Sequence, residues 1–121
     1  MVTVAREKSD KITYFKTEPG KGMVTKLHDD FKEKYRDKAD IVDIRASTLH
    51  EYDIRGVLDE NIQFAKDNSE KEILLAFDEI ASESQIARIE LFVNNIEIPD
   101  NLNIYVIQMC LPESNEKYFF G

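Results

Sequence analysis

Cysteine occurs once in these 121 residues, histidine twice and tryptophan not at all. A lone Cys110 excludes an internal disulfide framework and fits a reducing compartment, so the expected location is the cytoplasm. With no histidine near it in the chain, Cys110 reads as a small buried apolar residue rather than a nucleophile. His28 and His50 have no second ligand at metal-binding spacing, so both read as surface residues and no metal site is expected. No apolar run approaches a membrane span and no signal-peptide core opens the chain, so no membrane partner is expected. Positive charge is scarce as well. Sixteen Lys and Arg stand against 24 Asp and Glu, a net charge of −8, which argues against the basic face that a sequence-independent grip on nucleic acid requires. No low-complexity tract, internal repeat or linker divides the chain, and its length suits one domain, residues 1–121, with a loose lead-in over 1–10 and a tail over 113–121.

What is present is an alternation of strand and helix patterns. Lys11–Lys16 reads as a strand, and a helix follows from Gly22 with Met23, Leu27, Phe31 and Tyr35 in one apolar stripe. Its other face carries charge, including Asp30 with Lys34 and Glu33 with Arg36 at helical spacing. Ala39–Arg45 is a second strand, Ser47–Gly56 a loop, Val57–Asn68 a second helix and Glu72–Phe77 a third strand. Ser82-Glu83-Ser84-Gln85 is a capping box that opens a third helix burying Ile86, Ile89 and Val93. Asn103–Leu111 is a fourth strand, stopped by Pro112. Strands alternating with helices imply an α/β fold, a parallel three-layer sheet with right-handed crossovers.

Two segments carry chemical meaning. Ile73-Leu74-Leu75-Ala76-Phe77 is the continuous apolar run of a strand covered on both faces, and Asp78-Glu79 follow at its carboxyl end, where open α/β sheets bind ligands. In P-loop ATPases such a pair holds Mg²⁺ and polarises the attacking water. The turn after the first strand, Thr17-Glu18-Pro19-Gly20-Lys21-Gly22-Met23-Val24, stands where a phosphate loop would, but in damaged form. The working pattern G-x-x-x-x-G-K-[ST] places a Lys on the phosphates and a hydroxyl on Mg²⁺. Here Gly22 is kept, Met23 replaces the Lys, Val24 replaces the Ser/Thr, and Glu18 adds a negative charge. An ordinary Pro-Gly turn would also account for the segment.

Three stretches together resemble the nucleotide-binding core of the AAA+ ATPases, in particular the MoxR-like branch. Asp43-Ile44-Arg45-Ala46-Ser47-Thr48-Leu49 leading to Asp53-Ile54-Arg55-Gly56 is similar to that branch's segment after the second strand. Phe77-Asp78-Glu79-Ile80 resembles its Walker B motif, and Ile98-Pro99-Asp100-Asn101-Leu102-Asn103-Ile104 the approach to its sensor strand. The resemblance runs from about Ile12 to Pro112. It implies a P-loop-like sheet of order 1-4-3-2 with no lid domain, since the family's fifth strand, arginine finger region and helical lid have no counterpart in these residues.

The resemblance also implies lost chemistry. The family's sensor Asn falls near Met109 or Cys110, neither of which replaces an amide. Gly20, Gly22, Met23, Val24, Asp78 and Glu79 are therefore expected to form a vestigial nucleotide site, with no catalytic residues and no cofactor. The expected function is a non-catalytic interaction or regulatory module whose partner is a working AAA+ ATPase or a second copy. An inhibitor of the phage or mobile-element type is one concrete form. Asp53, Arg55 and the aromatic cluster Tyr118, Phe119 and Phe120 are the candidate contact residues. The alternatives are a weak nucleotide-binding switch without hydrolysis, or an unrelated acidic α/β binding protein.

Overall fold

A computed structural model describes residues 8–18, 20, 22–46, 49–50 and 53–110. Its elements alternate as β1 (Ile12–Thr17), α1 (Met23–Tyr35), a 3₁₀ turn (Arg36–Lys38), β2 (Ala39–Arg45), α2 (Ile54–Asp67), β3 (Glu72–Ile80), α3 (Glu83–Asn94) and β4 (Leu102–Met109). The sheet is four-stranded and wholly parallel in the order β1-β4-β3-β2. No lid domain accompanies it among the described residues. No helix among them is long and apolar enough to cross a membrane.

Side-chain alternation divides the sheet's two faces. Ile73, Leu75 and Phe77 of β3 join Ile104 and Val106 of β4 on the face covered by α2 and α3, where Leu58, Ile62, Ile86, Ile89 and Val93 complete the larger core. Leu74, Ala76 and Ile107 face the other way and pack with Phe31 of α1, flanked by Leu27, Tyr35 and Ile41. The central run of β3 is thus enclosed on both sides, with every residue from Ile73 to Phe77 at 0% exposure. That is the burial its unbroken apolar sequence requires. Phe77→Ala there would cost about 3–5 kcal/mol.

Several local expectations are corrected. Helix α2 starts at Ile54, not Val57. Ile54, three residues before the expected start, is only 2% exposed, and its burial outweighs the loop tendency suggested by Gly56. Strand β3 runs through the acidic pair to Ile80, with a register shift between Phe77 and Ile80. Ser82 does cap α3 by accepting from the Gln85 N–H at 3.3 Å, but the Gln85 side chain donates to the Ala46 carbonyl at 3.0 Å instead of returning to the cap. On α1, Asp30 lies 3.5 Å from the Lys26 ammonium, and Lys34 lies over the Tyr35 ring. His28 is no open surface residue: its side chain is 21% exposed and lies 3.7 Å from Asp43. Cys110 is half-buried.

Asn101 ties the far end of the sheet together. Its amide nitrogen donates to the carbonyls of Ala65 at 2.9 Å, Lys71 at 3.1 Å and Asn68 at 3.2 Å, while its own carbonyl accepts from the Ile73 N–H at 2.9 Å. One side chain thereby closes the end of α2 and sets the entry of β3 beside β4. Among the described residues, no strand pairs with the outer side of β1 or of β2.

Candidate functional site at the carboxyl ends of β1 and β3

Strand β1 leads into α1 on one face of the sheet, and β3 leads into α3 on the other. The carboxyl ends of the strands at this divergence form the crevice in which open α/β sheets take ligands. A cavity of about 260 Å³ lies there. Gly20, Gly22, Met23, Val24, Asp78 and Glu79, the residues singled out from the sequence, all line it. Thr17, Glu18, Thr25 and Met109 complete the wall. Of Met109 and Cys110, the two residues near which the resemblance implies a lost sensor amide, Met109 is in the lining. Thr25 was not singled out; its signal was a hydroxyl one residue beyond the motif.

The turn has a physical reason for its glycines. Gly20 and Gly22 adopt φ values of +79° and +73°, a backbone conformation that carries a steric cost for other residues. They fold the chain from β1 onto the start of α1, where Gly22 is the cap residue and no side chain caps the helix. The N–H groups of the first turn therefore have no capping side chain as an acceptor. They lend the cavity a partial positive charge.

The opposite wall is negative. Glu79 has φ +55° at the β3 register shift, and its N–H donates to the Asp78 carboxylate at 2.7 Å. Asp78 thus stabilises its own bulge, a structural task that requires no ligand. Across the sheet, Asp43 is held above the ordinary carboxyl value, first by burial and next by the charge of Asp78; His28 and Arg45 act in the opposite sense, and Glu79 adds to the rise. The described lining carries Glu18, Asp78 and Glu79 and includes no Lys or Arg. Lys21 lies outside the described residues. Among the described residues no group of three or more His, Cys, Asp or Glu could hold a metal ion.

Magnitudes decide what such a cavity accepts. A phosphate charge about 7 Å from a carboxylate is opposed by about 2 kcal/mol at an effective dielectric of 20, and this repulsion recurs for each carboxylate. A helix N-terminus returns about 0.3–1 kcal/mol at an exposed site, and about 2 kcal/mol at most. Repulsion outweighs attraction for a polyphosphate unless a cation is supplied.

The candidate contact residues are not brought together with this cavity. Asp53 is exposed at the start of α2 and makes no side-chain cap, while Arg55 lies 3.1 Å from Asp59 on its own helix. Tyr118, Phe119 and Phe120 lie outside the described residues. In class, the fold and cavity define a four-stranded parallel α/β protein with a loop-and-carboxylate crevice at its switch point. No protein family, curated protein or solved structure matches the chain.

Proposed function

We propose that this protein is a non-catalytic interaction module built on a core like that of the MoxR-like AAA+ ATPases. It acts by docking on a working ATPase ring or on a second copy of itself, as an inhibitor or decoy of the phage or mobile-element type would. The observation that supports the reading is the cavity wall: Met23, Val24 and Met109 stand where cationic, hydroxyl and amide groups would serve ATP, and Glu18 adds negative charge to the acidic pair. A crevice so lined keeps the shape of a nucleotide site without the means to neutralise phosphate.

A second reading has its own support. Gly20, Gly22 and the uncapped start of α1 leave backbone N–H groups able to cradle a phosphate without side chains. Under that reading the protein is a nucleotide-responsive switch that does not hydrolyse.

Calorimetric titration with ATP, ADP and GTP, with and without Mg²⁺, separates the two. The interaction module gives no heat up to millimolar nucleotide, whereas the switch gives saturable binding that Gly22→Val abolishes. Adding the purified protein to a purified MoxR-like ATPase is expected to change that enzyme's hydrolysis rate or its assembly size. An unchanged rate and size, with the protein monomeric by light scattering, removes the proposal. ATP turnover by the protein itself, abolished by Glu79→Gln, would overturn both readings.

A further inference from the structure

A cavity of about 280 Å³ lies between the second half of α1 and the amino-terminal half of the β1–β4 pair, at the far end of α1 from the crevice. By strand alternation, Thr13 and Phe15 of β1 and Asn103 and Tyr105 of β4 lie on the sheet face that α1 covers. Helix α1 packs on that face against β2 and β3. Among the described residues, Tyr105 is thus left half-buried beside the helix. Tyr105, backed by Phe15 at 5.0 Å between ring centroids, forms the sheet side of the cavity. Tyr35, paired with Phe31 at 4.8 Å, forms the helix side.

The polar groups around this space have few partners in the protein. The hydroxyls of Thr13, Tyr35 and Tyr105 make no hydrogen bond among the described residues. The Asn103 amide nitrogen donates to the Ile73 carbonyl at 3.1 Å, which leaves the amide oxygen as an acceptor without a protein donor. Asp30 and Lys34 stand one helical turn apart in the lining and do not pair with each other. Asp30 lies 3.5 Å from the Lys26 ammonium, and the Lys34 ammonium lies 5.1 Å from the centre of the Tyr35 ring. Both charges act on the Tyr105 phenol. Burial holds that phenol above the ordinary tyrosine value, Lys34 opposes the rise, and Tyr35 and Asp30 add to it.

We propose that this cavity binds a small aromatic zwitterion, an α-amino acid whose ring enters between Tyr105 and Tyr35. Its carboxylate meets Lys34 and its ammonium meets Asp30. Charge selects the ligand. An anion would gain Lys34 but meet Asp30 one turn away, and a cation would meet the reverse, whereas a zwitterion is attracted by both. Side chains four apart on a helix have Cβ atoms about 5–6 Å apart, a spacing that lets both close on one amino-acid head. Ring walls of this kind favour a third ring at a centroid separation of about 4.5–7 Å. The volume lies just under the lower limit of about 300 Å³ for drug-sized ligands, which suits one ring with a short head. The site stands apart from the crevice and does not depend on the docking function proposed for it.

The test is a titration of the full chain followed by nuclear magnetic resonance amide spectra. L-Phenylalanine is compared with phenethylamine, which lacks the carboxylate, with 3-phenylpropionate, which lacks the ammonium, and with glycine, which lacks the ring. L-Phenylalanine should give saturable shifts at Thr13, Lys34, Tyr35, Asn103 and Tyr105, and each of the others should bind at least about fivefold more weakly. Lys34→Gln should weaken L-phenylalanine about fivefold and make it equal to phenethylamine, and Asp30→Asn should make it equal to 3-phenylpropionate. Tyr105→Leu should abolish saturation; should that variant unfold, Tyr35→Leu on the helix side reads the same loss. No saturable shift with L-phenylalanine up to about 10 mM, shifts centred on the crevice, or a probe with one charge binding as tightly as L-phenylalanine would each overturn the assignment.

Discussion

Replacing Asn101 tests whether one amide holds the lower end of the sheet. Three carbonyl oxygens surround its nitrogen, at 2.9, 3.1 and 3.2 Å, so the orientation of the amide follows from its surroundings. Asn101→Ala removes two N–H protons shared among three acceptors, and at about 0.5–1.5 kcal/mol per net bond the loss is about 2 kcal/mol. Asn101→Asp keeps the shape but turns an oxygen toward three oxygens. Repulsion adds to the lost bonds, for a total of about 3–4 kcal/mol at neutral pH. At about 2.1 cal/mol/K of unfolding entropy per residue, these losses lower the melting temperature by about 8 °C and about 12–16 °C.

The two variants also differ in their response to pH. The introduced carboxyl faces oxygens only, so its pKa is raised in the folded state above the unfolded value. The repulsive penalty is therefore absent below the unfolded pKa and grows as pH rises through the folded one. Urea midpoints at pH 4.5 and 7.5 read this directly, provided the slope with denaturant stays constant. The gap between Asn101→Asp and Asn101→Ala should narrow or close at pH 4.5. Equal midpoints for the two variants at both pH values, or both within about 0.5 kcal/mol of the parent, would falsify the role given to Asn101.

Other perturbations follow from the same geometry. The Tyr14 hydroxyl accepts from the Ser9 N–H at 2.9 Å and donates to the Glu90 carboxylate at 2.5 Å, with Glu90 only 2% exposed. Tyr14→Phe should cost about 1.5–3 kcal/mol by urea unfolding, the range for a hydrogen bond to a charged group, and a loss below about 0.5 kcal/mol would exclude that bond. Asp43 has its folded pKa raised from 3.8. Its contribution to stability is fully present below the unfolded pKa and is lost as pH rises through the folded one. Asp43→Asn should accordingly raise the urea midpoint at pH 7 but not at pH 3, by less than about 1 kcal/mol because the side chain is 37% exposed and solvent-screened. A lower midpoint at pH 7 would contradict this. Glu79 stands at φ +55°, so Glu79→Gly should stabilise by about 0.5–1 kcal/mol and Glu79→Val should destabilise by at least as much; the reverse ranking in thermal melts would rule out strain at the bulge.

Much of the architecture was legible because burial leaves a direct imprint on sequence. The run Ile73–Phe77 has no polar residue because both faces of β3 are covered, and Ala39–Arg45 was bounded correctly by its apolar and β-branched pattern. The crevice was legible too, since a turn after β1 and an acidic pair after an apolar strand must meet at the switch point of this topology. What remained hidden depends on distant contacts. Arg55 and Gly56 belong to α2 because neighbouring Ile54 is buried in the core. Asn101 looked like part of an approach to a strand, yet its partners lie some 30 to 36 residues earlier in the chain. Glu90, a charged residue in a helix, gives no sign in the sequence that Tyr14 waits 76 residues upstream. Local pattern records how much of a residue is buried, and only the assembled sheet says which group meets it.

The pairing of β1 with β4 has a consequence for synthesis. Ile12 is made early and its strand partner Ile104 late, roughly ninety residues apart, the kind of separation that slows folding. At a translation rate of about 5–20 residues per second, the first strand leaves the ribosome about 5–20 seconds before its partner exists. Meanwhile β2 and β3 can pair as soon as both emerge, and β4 can add to them. Because β1 lies at the end of the sheet, it joins afterwards without displacing any strand already in place. Strand β1 is therefore a latch, the first of the described strands to be synthesised and the last to close. Until it closes, Ile12, Tyr14 and Phe15 are the apolar residues most in need of a chaperone's cover.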